Sequence, residues 1–118
     1  MSPQEFLASD KTRAFVTVSG YRLEMVKTRR RLFGRDLKIV TADILMRASW
    51  RPGNLSRLVT DLEQMIRDHG HDAVMIPEVL EPRLGPFLSR RGFRPLFREL
   101  PNLALVKMIQ VDRLVCAA

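Results

Sequence analysis

The stretch LKIVTADILMRASWRPGNLSRLVTDLEQMIRDHGHDAVMIP, residues 37–77, decides the fold. Its first part, Leu37 to Ala48, is rich in β-branched and apolar residues and predicts a long strand. After a turn, apolar residues recur at three-and-four spacing, which predicts an amphipathic helix with one buried face. The apolar positions of this helix are Leu55, Leu58, Val59, Leu62, Met65 and Ile66. The apolar run Ala73–Pro77 predicts a second strand, buried on both faces, and completes a strand–helix–strand unit.

Further strands and helices are predicted on both sides of this unit. The strands are Ala14–Val18, Tyr21–Lys27, Arg94–Arg98 and Leu103–Ile109. One helix lies in residues 1–13, where Ser2 and Glu5 form a capping box, and another in residues 82–91. Asn54 suits the N-cap of the central helix, and Gly70 and Gly92 suit the left-handed position after a helix.

The order of these elements predicts the fold class. Because 118 residues build one hydrophobic core, we expect a single domain over residues 1–118. It is of mixed α/β class, with one central sheet flanked by helices. Residues 111–118 are expected to form an apolar C-terminal tail that extends the last strand or docks on a partner.

The composition excludes several classes of protein. Cys116 is the only cysteine, so an internal disulfide framework or a cysteine-based zinc site is excluded. With only His69 and His71 as histidines, we expect no metal site. No apolar run approaches the ~20 residues of a membrane span, and residues 1–13 lack the features of a secretory signal. We therefore expect a soluble, cytoplasmic protein.

The positive charge is concentrated in one third of the chain. Residues Arg22 to Arg57 contain ten basic and three acidic residues, which accounts for the whole net charge of +7. This asymmetry favours a polyanionic partner, such as nucleic acid, a membrane surface or a phosphorylated cofactor. Arg29–Arg31, near Phe33, is the part of this basic third best suited to nucleic-acid phosphates. The alternative is a solvated basic surface that keeps the protein soluble.

The turn between the long strand and the central helix is the strongest candidate for a ligand site. A strand that feeds a helix N-terminus directs free backbone N–H groups and a positive dipole end at one place, which suits a pyrophosphate. Arg51 and Arg57 flank this place and can add charge-assisted hydrogen bonds. The alternative is an ordinary capped helix with two solvated arginines.

Two segments of the chain carry a resemblance to a known family. Residues 84–94, LGPFLSRRGFR, are similar to a helix that ends in an aromatic pair, a basic residue and Gly-Phe. Residues 44–76 resemble an acyl-CoA-binding motif. From Ala14 to Ile109 the chain therefore resembles the GNAT superfamily of acyl-CoA-dependent N-acyltransferases. The resemblance implies a GNAT-like mixed sheet, acetyl-CoA or CoA as cofactor, and an amine as acceptor.

The resemblance also implies the residues of a cofactor site. In the family the loop reads Gln/Arg-x-x-Gly-x-Gly/Ala. Arg51 keeps the first position here, while Asn54 and Ser56 stand where small residues belong. The residues expected to bind the cofactor are Met46, Arg47, Arg51, Gly53, Asn54, Leu55, Ser56 and Arg57.

Acyl transfer to an amine needs a base and usually an acid. By its place on the long strand, Asp43 is the best base candidate, and Glu24 is the second. For either residue the alternative is an outward-facing carboxylate paired with an arginine. The position that matches the family's tyrosine acid is Leu88, which cannot donate a proton.

Two functions are therefore open. The first is an N-acyltransferase that moves an acetyl or other acyl group to an unidentified amine. The alternative is a catalytically inactive GNAT-fold subunit that binds a polyanion or a protein, or serves in an assembly such as a phage structural component. Only residues 1–13 precede the first strand. They are too few to form the opening strand and two helices that usually build the acceptor side of the site in this family. A second copy of the chain or a partner protein is one way to complete the site.

Overall fold

A computed structural model describes residues 1–46, 52–78, 84–97, 99 and 103–109. Within them lie three helices and six strands, each at the place of an element that the sequence predicts. The helices are α1 (Pro3–Ala8), α2 (Pro52–Asp68) and α3 (Leu84–Arg90). The strands are β1 (Arg13–Val18), β2 (Tyr21–Leu32), β3 (Arg35–Met46), β4 (Ala73–Glu78), β5 (Arg94–Pro95) and β6 (Leu103–Met108).

The strands form one mixed sheet in the order β1-β2-β3-β4-β6-β5. Only β3 and β4 are parallel, and α2 provides the crossover that a parallel pair requires. All the other neighbouring strands are antiparallel. The prediction of a mixed α/β fold is confirmed.

Strand β2 is longer than the sequence predicts. Beyond the predicted end at Lys27, residues 28–31 also belong to β2, and the pairing with β3 continues to Leu32 opposite Arg35. Phe33 (φ 53°) and Gly34 (φ 74°) both have left-handed backbone conformations. Two such residues in a row make the tight turn whose twist matches that of the flanking strands.

All three helices lie on one face of the sheet. Phe6 of α1, Leu58 of α2 and Leu88 of α3 belong to the same buried cluster as Leu23 and Val40 of the sheet. A smaller cluster lies on the opposite face and consists of Leu37, Ile39, Ala73, Met75 and Val106. The sheet therefore has a helix-covered face, while the described residues place no helix on the other, which we call the open face.

The predicted helix ends are confirmed at three places. Ser2 and Glu5 form the capping box of α1. Gly70 and Gly92 follow α2 and α3 with φ values of 75° and 94°. After α3, the N–H of Phe93 donates to the carbonyl of Leu88 at 3.0 Å, as in a Schellman motif.

Three boundaries differ from the prediction. Helix α2 begins at Pro52, which suits the first helical position, so Asn54 lies in the first turn and not at the N-cap. Helix α3 begins at Leu84 and includes Pro86, which is tolerated because first-turn N–H groups have no intrahelical partner. Strand β5 is only two residues long and ends at Pro95, which has no N–H to donate. The predicted tail, residues 111–118, lies outside the described residues.

Candidate functional site

The parallel strands β3 and β4 separate toward their C-terminal ends. Their pairing is limited to Ile39 with Ala73, Val40 with Val74 and Thr41 with Met75. Beyond these pairs β3 stays bonded to β2 as far as Met46, and β4 stays bonded to β6 as far as Glu78. Residues 42–46 and 76–78 therefore present facing strand edges with no ladder between them, which we call the β3–β4 gap. Strand edges of this kind can pair with a ligand that carries amide groups.

Strand β3 contains a bulge beside this gap. Arg22 pairs with Met46 and Leu23 pairs with Ile44, so Leu45 is one extra residue on β3. The Leu45 side chain is 46% exposed although it is apolar. A bulge bends its strand and increases the local twist, and bulges are frequent next to active sites. The bend therefore occurs at the level of the gap.

Helix α2 starts shortly after the gap along the chain. Its N-terminal end carries N–H groups without intrahelical partners and the positive end of the helix dipole. No acidic residue lies in its first turn to occupy this position. The start of α2 therefore has the electrostatic character of a phosphate site.

The residues predicted to bind a cofactor fall into three groups. Arg47 and Arg51 lie outside the described residues. Met46 ends β3, and Gly53 and Asn54 lie in the first turn of α2. Leu55 is buried in the core, so only its backbone can face a ligand, while Ser56 is half-buried and Arg57 is exposed.

A polar cluster joins α2 to α3 and the sheet. The Arg91 guanidinium donates to the Thr60 hydroxyl at 2.8 Å, to the Ser56 hydroxyl at 3.3 Å and to a Glu63 carboxylate oxygen at 3.4 Å. Lys107 of β6 makes an ion pair with the other Glu63 oxygen. Glu63 is only 8% exposed although it is charged, because these two cations neutralise it beneath the helix.

The two base candidates lie next to each other on the sheet. Glu24 of β2 is the cross-strand partner of Asp43 of β3, and both are half-buried. They alternate with core residues Leu23 and Ala42, so their side chains are on the open face. The Arg13 guanidinium donates to the Glu24 carboxylate at 2.8 Å, whereas no described side chain hydrogen-bonds to the Asp43 carboxylate. Among the described residues, the alternative of a carboxylate paired with an arginine therefore applies to Glu24 and not to Asp43.

The described residues supply no tyrosine acid near the gap. Leu88, at the position that the family resemblance assigns to a tyrosine, is 1% exposed and belongs to the core beneath α3. Tyr21, the one tyrosine of the chain, is fully buried in the same core. Neither of these two residues can therefore donate a proton at the gap.

The described part of the chain shows neither a metal-ligand cluster nor a membrane-spanning element. Its histidine and carboxylate side chains form no group of three that could hold a metal ion. None of its helices combines the length and the apolar character needed to cross a bilayer. A cleft of about 520 Å³ between α1, β1 and α2 is lined by no residue of β3 or β4.

The sheet order, the β3–β4 gap and the helix that follows it define a GNAT-like fold. Two solved structures of a mutant AtaT toxin bound to the C-terminus of the antitoxin AtaR are similar to this chain, and one of them also contains acetyl-CoA. Their TM-scores are 0.59 and 0.57 at 16% and 17% sequence identity. Each match covers 83% of this chain and 64% of the toxin chain, so this sequence spans less than two thirds of the length of those proteins. No protein-family model and no curated protein sequence matches the chain.

The polar cluster of Ser56, Thr60, Glu63, Arg91 and Lys107 was not predicted from the sequence. A signal was present, since Ser56, Thr60 and Glu63 follow helical spacing and form a polar stripe on α2. Arg91 and Lys107 are distant in the sequence, and only the fold places them against this stripe.

Proposed function

We propose that this chain is an acyl-CoA-dependent N-acyltransferase whose substrates meet at the β3–β4 gap. The observation that carries the proposal is the separation of β3 and β4 after Thr41 and Met75, shortly before the start of α2. The similarity to a toxin structure that contains acetyl-CoA supports it at the level of the fold.

The gap matches the chemistry of acyl-CoA. The pantetheine arm carries two amide groups, which can pair with the strand edge of residues 42–46 as an added strand does. The pyrophosphate is then directed toward the N-terminus of α2, where free N–H groups and the dipole favour it. Arg57, exposed at this end of the helix, adds positive charge together with Arg47 and Arg51 of the sequence.

Asp43 and Glu24 suit the acceptor side. An amine arrives mainly as an ammonium ion, and adjacent carboxylates on the open face attract it. Asp43 takes one proton, and the amine nitrogen then attacks the thioester carbonyl carbon. The C–N bond forms, the C–S bond breaks, and CoA leaves as a thiolate. The nitrogen loses its remaining extra proton to solvent, and water protonates the thiolate, because Leu88 cannot.

A thiol-release assay tests this function. Acetyl-CoA is incubated with the protein and with small primary amines or lysine peptides, and free CoA is followed with a thiol-reactive dye. We expect amine-dependent release that falls strongly in Asp43→Asn and is unchanged in Asp36→Asn. Asp36 is a matched control because it is an exposed aspartate at the other end of the same strand. Binding of acetyl-CoA without release for any amine would favour the inactive-subunit alternative.

A further inference from the structure

A basic cleft lies at the opposite end of β3 from the gap. It has a volume of about 370 Å³ and lies between α1, the β2–β3 hairpin and the segment that joins α2 to β4. It is lined by Leu7, Ser9, Lys27, Thr28, Arg29, Lys38, His69 and His71. We propose that this cleft binds a small phosphate-containing anion, either inorganic phosphate or a phosphate monoester.

The first observation is a pair of like charges held side by side. Arg29 of β2 and Lys38 of β3 are direct cross-strand partners. Side chains alternate between the two faces along a strand. Lys38 is two residues from the core residue Val40, and Arg29 is four residues from the core residue Met25, so both lie on the helix-covered face. Two cations in this arrangement destabilise a sheet unless an anion lies between them. An anion that contacts both side chains removes this cost.

Further basic groups surround the pair. The Lys27 ammonium donates to the carbonyl of Phe6 in α1 at 2.9 Å and to that of Ser9, just after α1, at 2.6 Å, which fixes its positive charge at the edge of the cleft. The His71 Nδ1 atom is buried and has no hydrogen-bond partner among the described residues. Burial, and then the charges of Lys27, Lys38 and His69, lower the His71 pKa. The surroundings of the cleft are therefore strongly positive.

Nearby carboxylates do not neutralise the cleft. No described carboxylate lines it. Asp72 is buried, and one of its oxygens accepts the backbone N–H of Lys38 at 2.9 Å. Burial lowers the pKa of Lys27, and the charge of Asp10 offsets only part of this effect. Arg29 and Lys38 are thus the direct ligands that the cleft offers to an anion, with His71 lining it, and the concave arrangement favours a small ligand over an extended polymer.

The test is an NMR titration of the labelled full chain with sodium phosphate, against sodium chloride at equal ionic strength. We expect saturable shifts at Arg29, Lys38 and His71 with phosphate alone, and similar or larger shifts with glycerol phosphate. Arg29→Gln and Lys38→Gln should each weaken binding at least about tenfold, the effect of one lost charge-assisted hydrogen bond. Arg30→Gln is the matched control, since Arg30 is the next residue of the same strand and faces the other side.

Each outcome of this experiment decides the proposal. Phosphate affinity that Arg29→Gln lowers and Arg30→Gln preserves supports it, and unchanged amide shifts elsewhere show that the variant is folded. Shifts that do not saturate, or an equal loss in Arg29→Gln and Arg30→Gln, overturn it. Binding of single-stranded or duplex oligonucleotides without binding of phosphate overturns it as well, and would show that the basic residues bind a nucleic acid polymer.

Discussion

Glu24 and Asp43 face each other across β2 and β3 on the open face of the sheet, and Asp43 lies two residues before the bulge at Leu45. The Glu24 carboxylate is held by Arg13, while no described side chain hydrogen-bonds to the Asp43 carboxylate. Like charges directly opposite each other destabilise a sheet. This arrangement is unfavourable for folding and favourable for binding a cation, which is the pattern expected of a functional pair.

The first prediction follows from this pair. Asp43→Asn should raise the free energy of unfolding by about 0.5 kcal/mol, because it removes the cross-strand repulsion. The same substitution should reduce the rate of acyl transfer by ~10²–10⁴-fold if Asp43 is the base. Urea unfolding and thiol release measure the two effects on one protein. Loss of stability together with unchanged activity would assign Asp43 a structural role.

The second prediction concerns the β2–β3 turn. Phe33 is 67% exposed and has a left-handed backbone, which costs a bulky residue about 1–2 kcal/mol. Phe33→Asn should therefore raise the free energy of unfolding by about 1 kcal/mol, because Asn adopts this conformation readily. Phe33→Ala, which keeps the backbone cost, is the control and should have little effect. If both variants destabilise equally, the Phe33 ring makes a stabilising contact.

The third prediction concerns the polar cluster between α2 and α3. Arg91→Met removes the donors to Ser56 and Thr60 and one of the two cations beside the buried Glu63. We expect a loss of about 1–3 kcal/mol of stability in urea unfolding. Arg90→Met is the control, because Arg90 is exposed at the end of the same helix. An equal effect of the two substitutions would show that Arg91 does not connect the helices.

The fourth prediction concerns pH. Since the pKa of folded His71 lies below its ordinary value of 6.5, the unfolded chain binds a proton there more readily than the folded one. Stability should therefore fall as the pH drops below about 6.5, until the folded pKa is passed. His71→Gln should remove this part of the pH dependence in urea titrations at a series of pH values. His69→Gln is the comparison variant, and an unchanged slope in His71→Gln would mean that another group is responsible.

Local patterns in the sequence predicted most of the fold. The three-and-four spacing of α2 and the glycines after the helices each depend on neighbouring residues, so their signals are local. The β3–β4 gap had no such signal, because the pairing of β3 with β4 joins residues that are far apart in the sequence. The pairing of Glu24 with Asp43 depends on the register of two strands, and the burial of Glu63 depends on Arg91 and Lys107. These features require the tertiary structure.

The most direct test of an acyl-CoA site at the β3–β4 gap is an NMR titration of the labelled protein with acetyl-CoA. We expect saturable shifts at the amides of residues 42–46, 76–78 and 54–57, and weaker binding in Arg57→Gln and Asn54→Asp, which remove a cation or add a carboxylate beside the pyrophosphate. At a hundredfold excess over Kd, acetyl-CoA should also add about 2.7 kcal/mol to stability. The absence of shifts at millimolar acetyl-CoA, or shifts confined to the basic cleft around Arg29 and Lys38, would contradict an acyl-CoA site at the β3–β4 gap.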